Sequence, residues 1–317
     1  MSTKYKFDEE LAVGIIQTTV NAELAWPRTS AKPRMSSAQD AHAWQEICKA
    51  MRALKDGDVA PKIVILPELS LPRTRLDDFE RLVCALNVIA FVGVDYRLNH
   101  TTRQARNEGL VFIPTGFWKG RPSRTCTRII FGKSHAAPGE KSALKKLSPS
   151  WSYVGDDEVY VFDAEKYGRI GVSICYDFMD LERAVMYRGR VHHLFVLAYN
   201  KDLGMFRSLA DSLSRTVFCN VVVCNTGFFG GSIAVSPYHN PHKRMLYSHD
   251  GNGLFTTQVV KLPVRGVEQA LRGKAEKITI RKRDEKVFKD PPPGVVEPAN
   301  LTLECQPLQT CKPSASS

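Results

Sequence analysis

The 317-residue chain has no apolar run near the roughly 20 residues that a membrane-spanning helix requires. Its longest stretches, such as Asn87-Val-Ile-Ala-Phe-Val-Gly-Val94, stop far short of that length. None of its eight cysteines, at positions 48, 84, 126, 175, 219, 224, 305 and 311, forms a Cys-x-x-Cys pair, so the usual zinc-ribbon spacing is missing. A chain this long needs no disulfide scaffold, and reduced thiols are expected. The first residues, MSTKYKFDEELAVGII, carry charges where a secretory signal would carry its apolar region. Negative charge is also scarce, with 33 Asp and Glu against 44 Lys and Arg. A soluble, cytoplasmic protein is the expectation, with no membrane partner.

What remains is a globular composition, 43% apolar and 24% charged, on a chain long enough for one large domain. Short runs rich in Val and Ile recur at 11–17, 62–67, 87–94, 109–114, 159–163, 169–175, 193–198, 220–225 and 230–235. Runs of that length bounded by turn residues suit strands buried on both faces. Trp44, Ile47, Cys48, Met51 and Leu54 repeat at helical spacing behind Ser37 and Asp40, a capping pattern. Leu76, Phe79, Leu82, Val83 and Leu86 repeat in the same way, and a third helix is expected over 203–217. Strand, helix and strand in alternation give an α/β fold. The strands at 87–114 and 220–262 follow one another with no helix between, so the sheets should be mixed.

Eight basic residues fall between Arg272 and Lys289, and Pro291-Pro-Pro293 opens a segment holding six of the 18 prolines. The basic stretch suits an anionic partner, nucleic acid among them, through Arg281-Lys-Arg283; a solvated tail is the simpler and preferred reading. Only Phe288 stands among these charges, which is little for base stacking. The Pro-rich segment has too little apolar surface to order itself, and is expected to be flexible or to wrap a neighbour.

Three apolar runs end in side chains able to do chemistry. Ile63-Val-Ile-Leu-Pro-Glu68 ends in a carboxylate, Arg128-Ile-Ile-Phe-Gly-Lys133 in an ammonium, and Arg169-Ile-Gly-Val-Ser-Ile-Cys175 in a thiol. Ligands gather at the carboxyl ends of strands in open α/β sheets, where these groups can converge. Each also has an ordinary reading. A lone Cys on a buried strand is usually a small core residue, Glu68 can cap a helix, and Lys133 can sit on the surface. His192-His193 and His239-x-x-His242 lack an acidic or Cys partner at useful spacing, so no metal is expected.

Glu68 in LPELSLP, Lys133 in GKSH and Cys175 in GVSICYDF occur in the order and setting of the Glu-Lys-Cys triad, and the chain resembles the nitrilase superfamily of carbon–nitrogen hydrolases. The resemblance runs from about residue 10 to 263. It takes in Gln17, Asn107, Glu182 and the stretch Asn225-Thr-Gly227 to Gly230-Gly-Ser232. It implies a four-layer α-β-β-α sandwich with two mixed sheets, spanning 1–263, followed by a C-terminal extension over 264–317. It also implies a Cys175 nucleophile, a Glu68 proton shuttle and a Lys133 that stabilises the thiolate and the oxyanion. Glu140 matches the family's second glutamate, or pairs with Lys141 or Lys145. Tyr176 and Asn200 are further substrate-binding or auxiliary candidates. The implied reaction is cleavage of a non-peptide C–N bond in a small amide, carbamoyl compound or nitrile, without a cofactor. Members pair through helices, so a homodimer or larger homo-oligomer is expected, with Val259 to Leu271 a candidate for its interface. Two segments depart from the pattern, Tyr176-Asp-Phe-Met-Asp-Leu-Glu182 and the Ala-Ala-Pro-Gly after His135. The alternative is a binding or regulatory module on the same fold, engaging a partner or nucleic acid through the basic C-terminal stretch. Loops near Trp118, Trp151, Tyr199-Asn200 and Phe228-Phe229 are candidate pocket walls, and Arg124 and Arg128 are candidate contacts for an acidic substrate group.

Overall fold

The computed structural model describes residues 6–280 and 283–295; the Arg281-Lys282 pair and the segment from 296 onward lie outside the described residues. Two mixed sheets stack face to face. In the first half of the chain, β1 (Glu10–Gln17), β2 (Ile63–Ile65), β3 (Ile89–Asn99), β4 (Gln104–Pro114), β5 (Cys126–Gly132) and the short β6 (Ser152–Tyr153) build one sheet. In the second half, β7 (Val161–Asp163), β8 (Arg169–Ile174), β9 (His193–Ala198), β10 (Asn220–Asn225), β11 (Ser232–Val235) and β12 (Met245–His249) build the other. The strand β13 (Thr256–Pro263) then returns to the first sheet, whose order is β13-β1-β2-β3-β4-β5 with β6 beside β4. The second sheet runs β12-β11-β10-β9-β8-β7. Each has a parallel centre, β1-β2-β3 or β8-β9-β10, flanked by antiparallel strands.

Alternation along the strands explains the layering. In β3, Ile89 and Phe91 face the second sheet and pack with Phe195 and Val172, while Ala90 and Val92 face outward. The outward face is covered by α2 (Ser37–Asp56) and α3 (Leu76–Leu86), after the single turn α1 (Ala22–Ala25). Ile47, Met51 and Leu54 of α2 and Phe79 and Val83 of α3 pack on Val64, Val92 and Phe112. The capping residue of α2 is Ser36, one position before the expected Ser37, and its hydroxyl accepts from the Gln39 N–H. Asp40 instead binds Arg75 and Thr74 of the neighbouring segment.

After α4 (Pro138–Lys146), α5 (Leu181–Tyr187) and α6 (Leu203–Leu213) cover the second sheet. The third expected helix is regular only to Leu213, and a wider turn over 214–218 carries it into β10. The result is the four-layer α-β-β-α arrangement. Beyond Pro263, α7 (Arg265–Leu271) and a hairpin of β14 (Lys277–Ile280) and β15 (Arg283–Lys286) follow. Val260, Leu262, Val264, Val267 and Ala270 are buried within the chain, Val267 and Ala270 against Phe218 and Phe288, which takes most of the apolar surface of 259–271 out of the expected interface.

One glycine holds the first sheet against the chain that follows β2. Past Ile65 the backbone stays alongside β3: Leu66 donates to Phe91, Gly93 to Pro67, and Ser70 and Leu71 both donate to Gly93. Between these bonds the chain bulges, with Leu69 in the left-handed region at φ 54°. A Cβ on Gly93 would lie 2.4 Å from both the Glu68 Cα and the Pro67 carbonyl oxygen. Gly93→Ala therefore forces the Glu68 backbone away, at a cost of about 3 kcal/mol. Denaturant unfolding should register that loss, and an unchanged midpoint would refute the account.

Candidate active site

The three strand-end groups converge between the sheets at one end of the sandwich. Glu68 follows the β2 bulge, Lys133 follows β5, and Cys175 follows β8. All three side chains are nearly inaccessible, at 3%, 2% and 7%. The Lys133 Nζ lies 2.8 Å from Glu68 Oε1 and 2.7 Å from Glu140 Oε2. A buried ammonium is tolerable only with such partners. Asn107 reinforces the bridge, since its Nδ2 donates to Glu68 Oε1 and to Glu140 Oε1, both at 2.8 Å. The Tyr96 hydroxyl donates to Glu140 Oε1 at 2.9 Å, and the Ala137 N–H donates to Glu140 Oε2 at 3.2 Å. Glu140 thus caps its own helix, α4, while bonding Lys133; neither Lys141 nor Lys145 pairs with it. The second Glu68 oxygen accepts the Tyr199 N–H at 3.0 Å.

Cys175 sits on a strained turn. Its φ is 46°, in the left-handed region that a non-glycine residue rarely occupies, where β8 gives way to a tight helical turn. The thiol donates to the Tyr199 carbonyl at 3.8 Å. Tyr199 is therefore held between Cys175 and Glu68 by its own backbone. Asn225 fixes that segment, accepting from the Asn200 N–H and donating to the Asn200 and Gly230 carbonyls.

A second clamp sets Lys133 against Cys175. Asp177, two residues past the thiol and buried, accepts the Ser134 N–H at 2.7 Å and the His135 N–H at 2.8 Å. Arg183 closes the group through Asp177 and the Ser134 hydroxyl. The loops that follow the two strands are thereby locked together.

The electrostatics divide the two carboxylates. Burial pushes Glu68 above its ordinary value; Lys133 pulls it back, and the Glu140 charge adds to the rise. Glu140 suffers the same burial, but Lys133, Asn107 and Tyr96 together hold it below its ordinary value. Burial works against the Lys133 ammonium, yet Glu68 and Glu140 outweigh it and keep Lys133 charged. The thiol behaves differently from the sequence expectation. Burial and the Glu68 charge push Cys175 up, and the opposing pull of Lys133 is too small to reverse them. The resting group is a thiol, not a thiolate.

These groups open into a cavity of about 720 Å³. Its walls come from the 22–33 loop, Leu69, Tyr96, Tyr199 and the α4 face bearing Leu144. Of the expected wall residues, Tyr199 lines it. Trp118 packs on Phe117 and Tyr167, Trp151 on His100, and Phe229 backs Tyr199 from outside the wall. Tyr176 is exposed beside Cys175, and the Asn200 side chain bonds Asp202 outside the cavity wall. Glu182 is exposed at the start of α5, while its neighbour Arg183 is buried. Arg128 is spent on Asp77 and Glu80. His192 and His193 are held by Glu268, the Tyr167 carbonyl and Asn220. Tyr96 and Trp26, whose indole donates to the buried Asp95, carried no signal beyond ordinary aromatic residues.

The yeast Saccharomyces cerevisiae Nit3, a member of branch 10 of the nitrilase superfamily, superposes with a TM-score of 0.57 at 18% identity, over 89% of this chain and 100% of that one. The fold is that of the nitrilase superfamily. The amidase from Nesterenkonia sp. AN1, solved in complex with acrylamide, matches with a TM-score of 0.56 at 13% identity, over 83% of this chain and 94% of its own. A CN-hydrolase superfamily protein from Xanthomonas campestris, with an arsenic adduct in its active site, gives the same TM-score at 13% identity, over 84% and 95%. No family model matches the sequence, and no curated protein matches it.

The Lys133 bridge yields a stability test. Lys133→Met leaves Glu68 and Glu140 facing each other without a cation, at a cost of about 3–5 kcal/mol at neutral pH. Both carboxyls then titrate above their unfolded values, so stability is present below the unfolded pKa and is lost as pH rises through the folded one. Denaturation at pH 5 and pH 8 should show the deficit against wild type growing with pH. A deficit independent of pH would contradict the bridge.

Proposed function

We propose that this protein is a thiol-dependent carbon–nitrogen hydrolase of small amides, carbamoyl compounds or nitriles. The observation that carries this reading is the buried Glu68–Lys133–Glu140 bridge beside a strained Cys175, all lining one cavity. Structural relatives include an amidase solved with acrylamide, which supports the same class of substrate.

Cys175 supplies the nucleophile and Glu68 takes its proton as the sulfur attacks the carbonyl carbon. Coupling the two transfers suits a thiol that is protonated at rest and a carboxyl raised toward neutrality. Charge developing on the substrate oxygen meets the Lys133 ammonium, with the Tyr176 N–H as second donor. Glu68 then delivers the proton to the departing nitrogen. A thioester remains on Cys175, and water activated by Glu68 releases the acid and restores the thiol. Glu140 and Asn107 touch no reacting atom in this scheme; they hold Lys133 and Glu68 in place.

The chain is further proposed to act as a homodimer. Leu181, Val185 and Met186 of α5 are 72%, 58% and 51% exposed, close to the exposed Tyr176 and Met179. An apolar face of that kind is unusual on a solitary subunit and marks an association surface.

Ammonia release from a panel of aliphatic amides tests the reaction, with Cys175→Ala expected to lose it by at least about 10³-fold. The sign of the Glu68 shift sets the acid limb: kcat/KM should fall as pH drops through a value above 4.5, because protonated Glu68 no longer accepts the thiol proton. Full turnover by Cys175→Ala would overturn the mechanism. For the assembly, light scattering should give twice the 35.5 kDa chain mass for wild type and a smaller species for Leu181→Asp/Val185→Asp. A monomeric wild type would exclude the dimer.

A further inference from the structure

Two cysteines that the proposed reaction does not use meet at the opposite end of β5. Cys84 closes the last turn of α3, Cys126 opens β5, and their sulfurs are 3.3 Å apart although 42 residues separate them in the chain. Both are free thiols. Two sulfurs at that distance are already in contact, against a bonded separation of about 2 Å.

The surroundings keep this pair in register. The Cys126 N–H donates to Glu80 Oε1 at 3.0 Å, four residues before Cys84 on the same helix. Arg128 grips Glu80 and Asp77 of that helix, so three hydrogen bonds bind the start of β5 to α3. Cys84 is buried and Cys126 partly accessible, which leaves one sulfur open to a small reagent and the other waiting behind it. The Ser123 hydroxyl also points at Cys84 Sγ, at 3.9 Å. The four remaining described cysteines lack such a partner: Cys48 is partly accessible with no sulfur beside it, Cys219 is fully buried, Cys224 donates to the Ile16 and Ile65 carbonyls, and Cys175 faces Tyr199.

We propose that Cys84 and Cys126 form an oxidisable dithiol, closed to a disulfide by hydroperoxides. Cys126, as thiolate, attacks one peroxide oxygen; the O–O bond breaks, hydroxide or alkoxide leaves and takes up a proton, and Cys126 becomes a sulfenic acid. Cys84 sulfur then attacks the Cys126 sulfur. The S–S bond forms, the S–O bond breaks, and water departs with the Cys84 proton. Two thiols are oxidised and one peroxide is reduced. Burial and the neighbouring Cys84 push the Cys126 thiol up, so the thiolate is scarce near neutral pH and closure is slow. This is a bond made under sustained oxidation, not a fast sensor. Once made, it links α3 to the edge strand of the first sheet, and closing a loop of this length stabilises the fold by restricting the unfolded chain. The proposal does not rest on the hydrolase reading.

Native Cys175→Ala protein, used so that the candidate nucleophile does not consume oxidant, is treated with hydrogen peroxide, blocked with iodoacetamide and digested without reduction. The expected product is one linked pair of peptides containing Cys84 and Cys126, two hydrogens lighter than their sum and separated by dithiothreitol. An upward shift in Tm should accompany it and be missing from Cys175→Ala/Cys126→Ser. Recovery of both thiols alkylated while other cysteines oxidise would overturn the proposal, as would Cys126 trapped as sulfenic or sulfinic acid without the link. Scrambled pairing among several cysteines would overturn it as well.

Discussion

A single ammonium held between two carboxylates in the dry interior is the constraint around which this fold is arranged. Lys133 sits 2.8 Å from Glu68 and 2.7 Å from Glu140, and all three are nearly sealed from solvent. The cluster carries one net negative charge, which a low-dielectric interior penalises heavily. Every oxygen is therefore given a donor: Asn107, Tyr96, the Ala137 N–H and the Tyr199 N–H complete the shell. Those donors come from β3, β4, the start of α4 and the end of β9, so one electrostatic requirement ties together segments spread over more than 130 residues.

The surplus charge also explains why the two carboxylates differ. The excess proton affinity of the group must settle on one of them. Glu140, with Asn107, Tyr96 and the Ala137 N–H as donors besides the ammonium, keeps its charge; Glu68 is left as the better proton acceptor. Glu68 is also the carboxylate whose neighbour, Tyr199, contacts the thiol. The asymmetry thus puts the better proton acceptor near the thiol and leaves the other carboxylate to anchor the lysine. Gly93 and Asp177 serve the same end in the backbone, one by letting the Glu68 segment lie against β3 and the other by joining the loops after Lys133 and Cys175.

Much of this could be read before any coordinates, because strand ends leave a strong mark. An apolar run halted by a single Glu, Lys or Cys is a local pattern, and the central strands at 11–17, 169–174, 193–198 and 220–225 were legible for the same reason. The supporting shell was not legible. Tyr96 and Tyr199 look like any aromatic residue near a strand, and Asp177 looks like a turn residue until its two backbone donors are seen. Tyr176 and Asn200 adjoin key positions in sequence yet do not line the cavity: Tyr176 is exposed in the tight turn that begins at Cys175, and the Asn200 side chain bonds Asp202. The cavity walls arise from the 22–33 loop and α4, where no periodicity exists to be read. The balance at the thiol was not legible for a related reason: a nearby Lys is visible in sequence, but the burial that opposes its pull is not.

That raised thiol is compatible with the proposed role of Cys175 as nucleophile; in the proposed reaction it changes the step at which charge appears. A preformed thiolate beside a charged Glu68 and Glu140 would put three anions around one ammonium, which burial forbids. Holding the proton on sulfur until Glu68 can take it keeps the net charge of the group constant through the attack. Negative charge then moves outward to the substrate oxygen, toward Lys133, as Glu68 becomes neutral. The ammonium is released from half of its ion pairing at the moment a new anion needs it. Strain at Cys175, at φ 46°, holds the sulfur at the strand end throughout, so the transfer requires movement of protons and substrate rather than of the backbone.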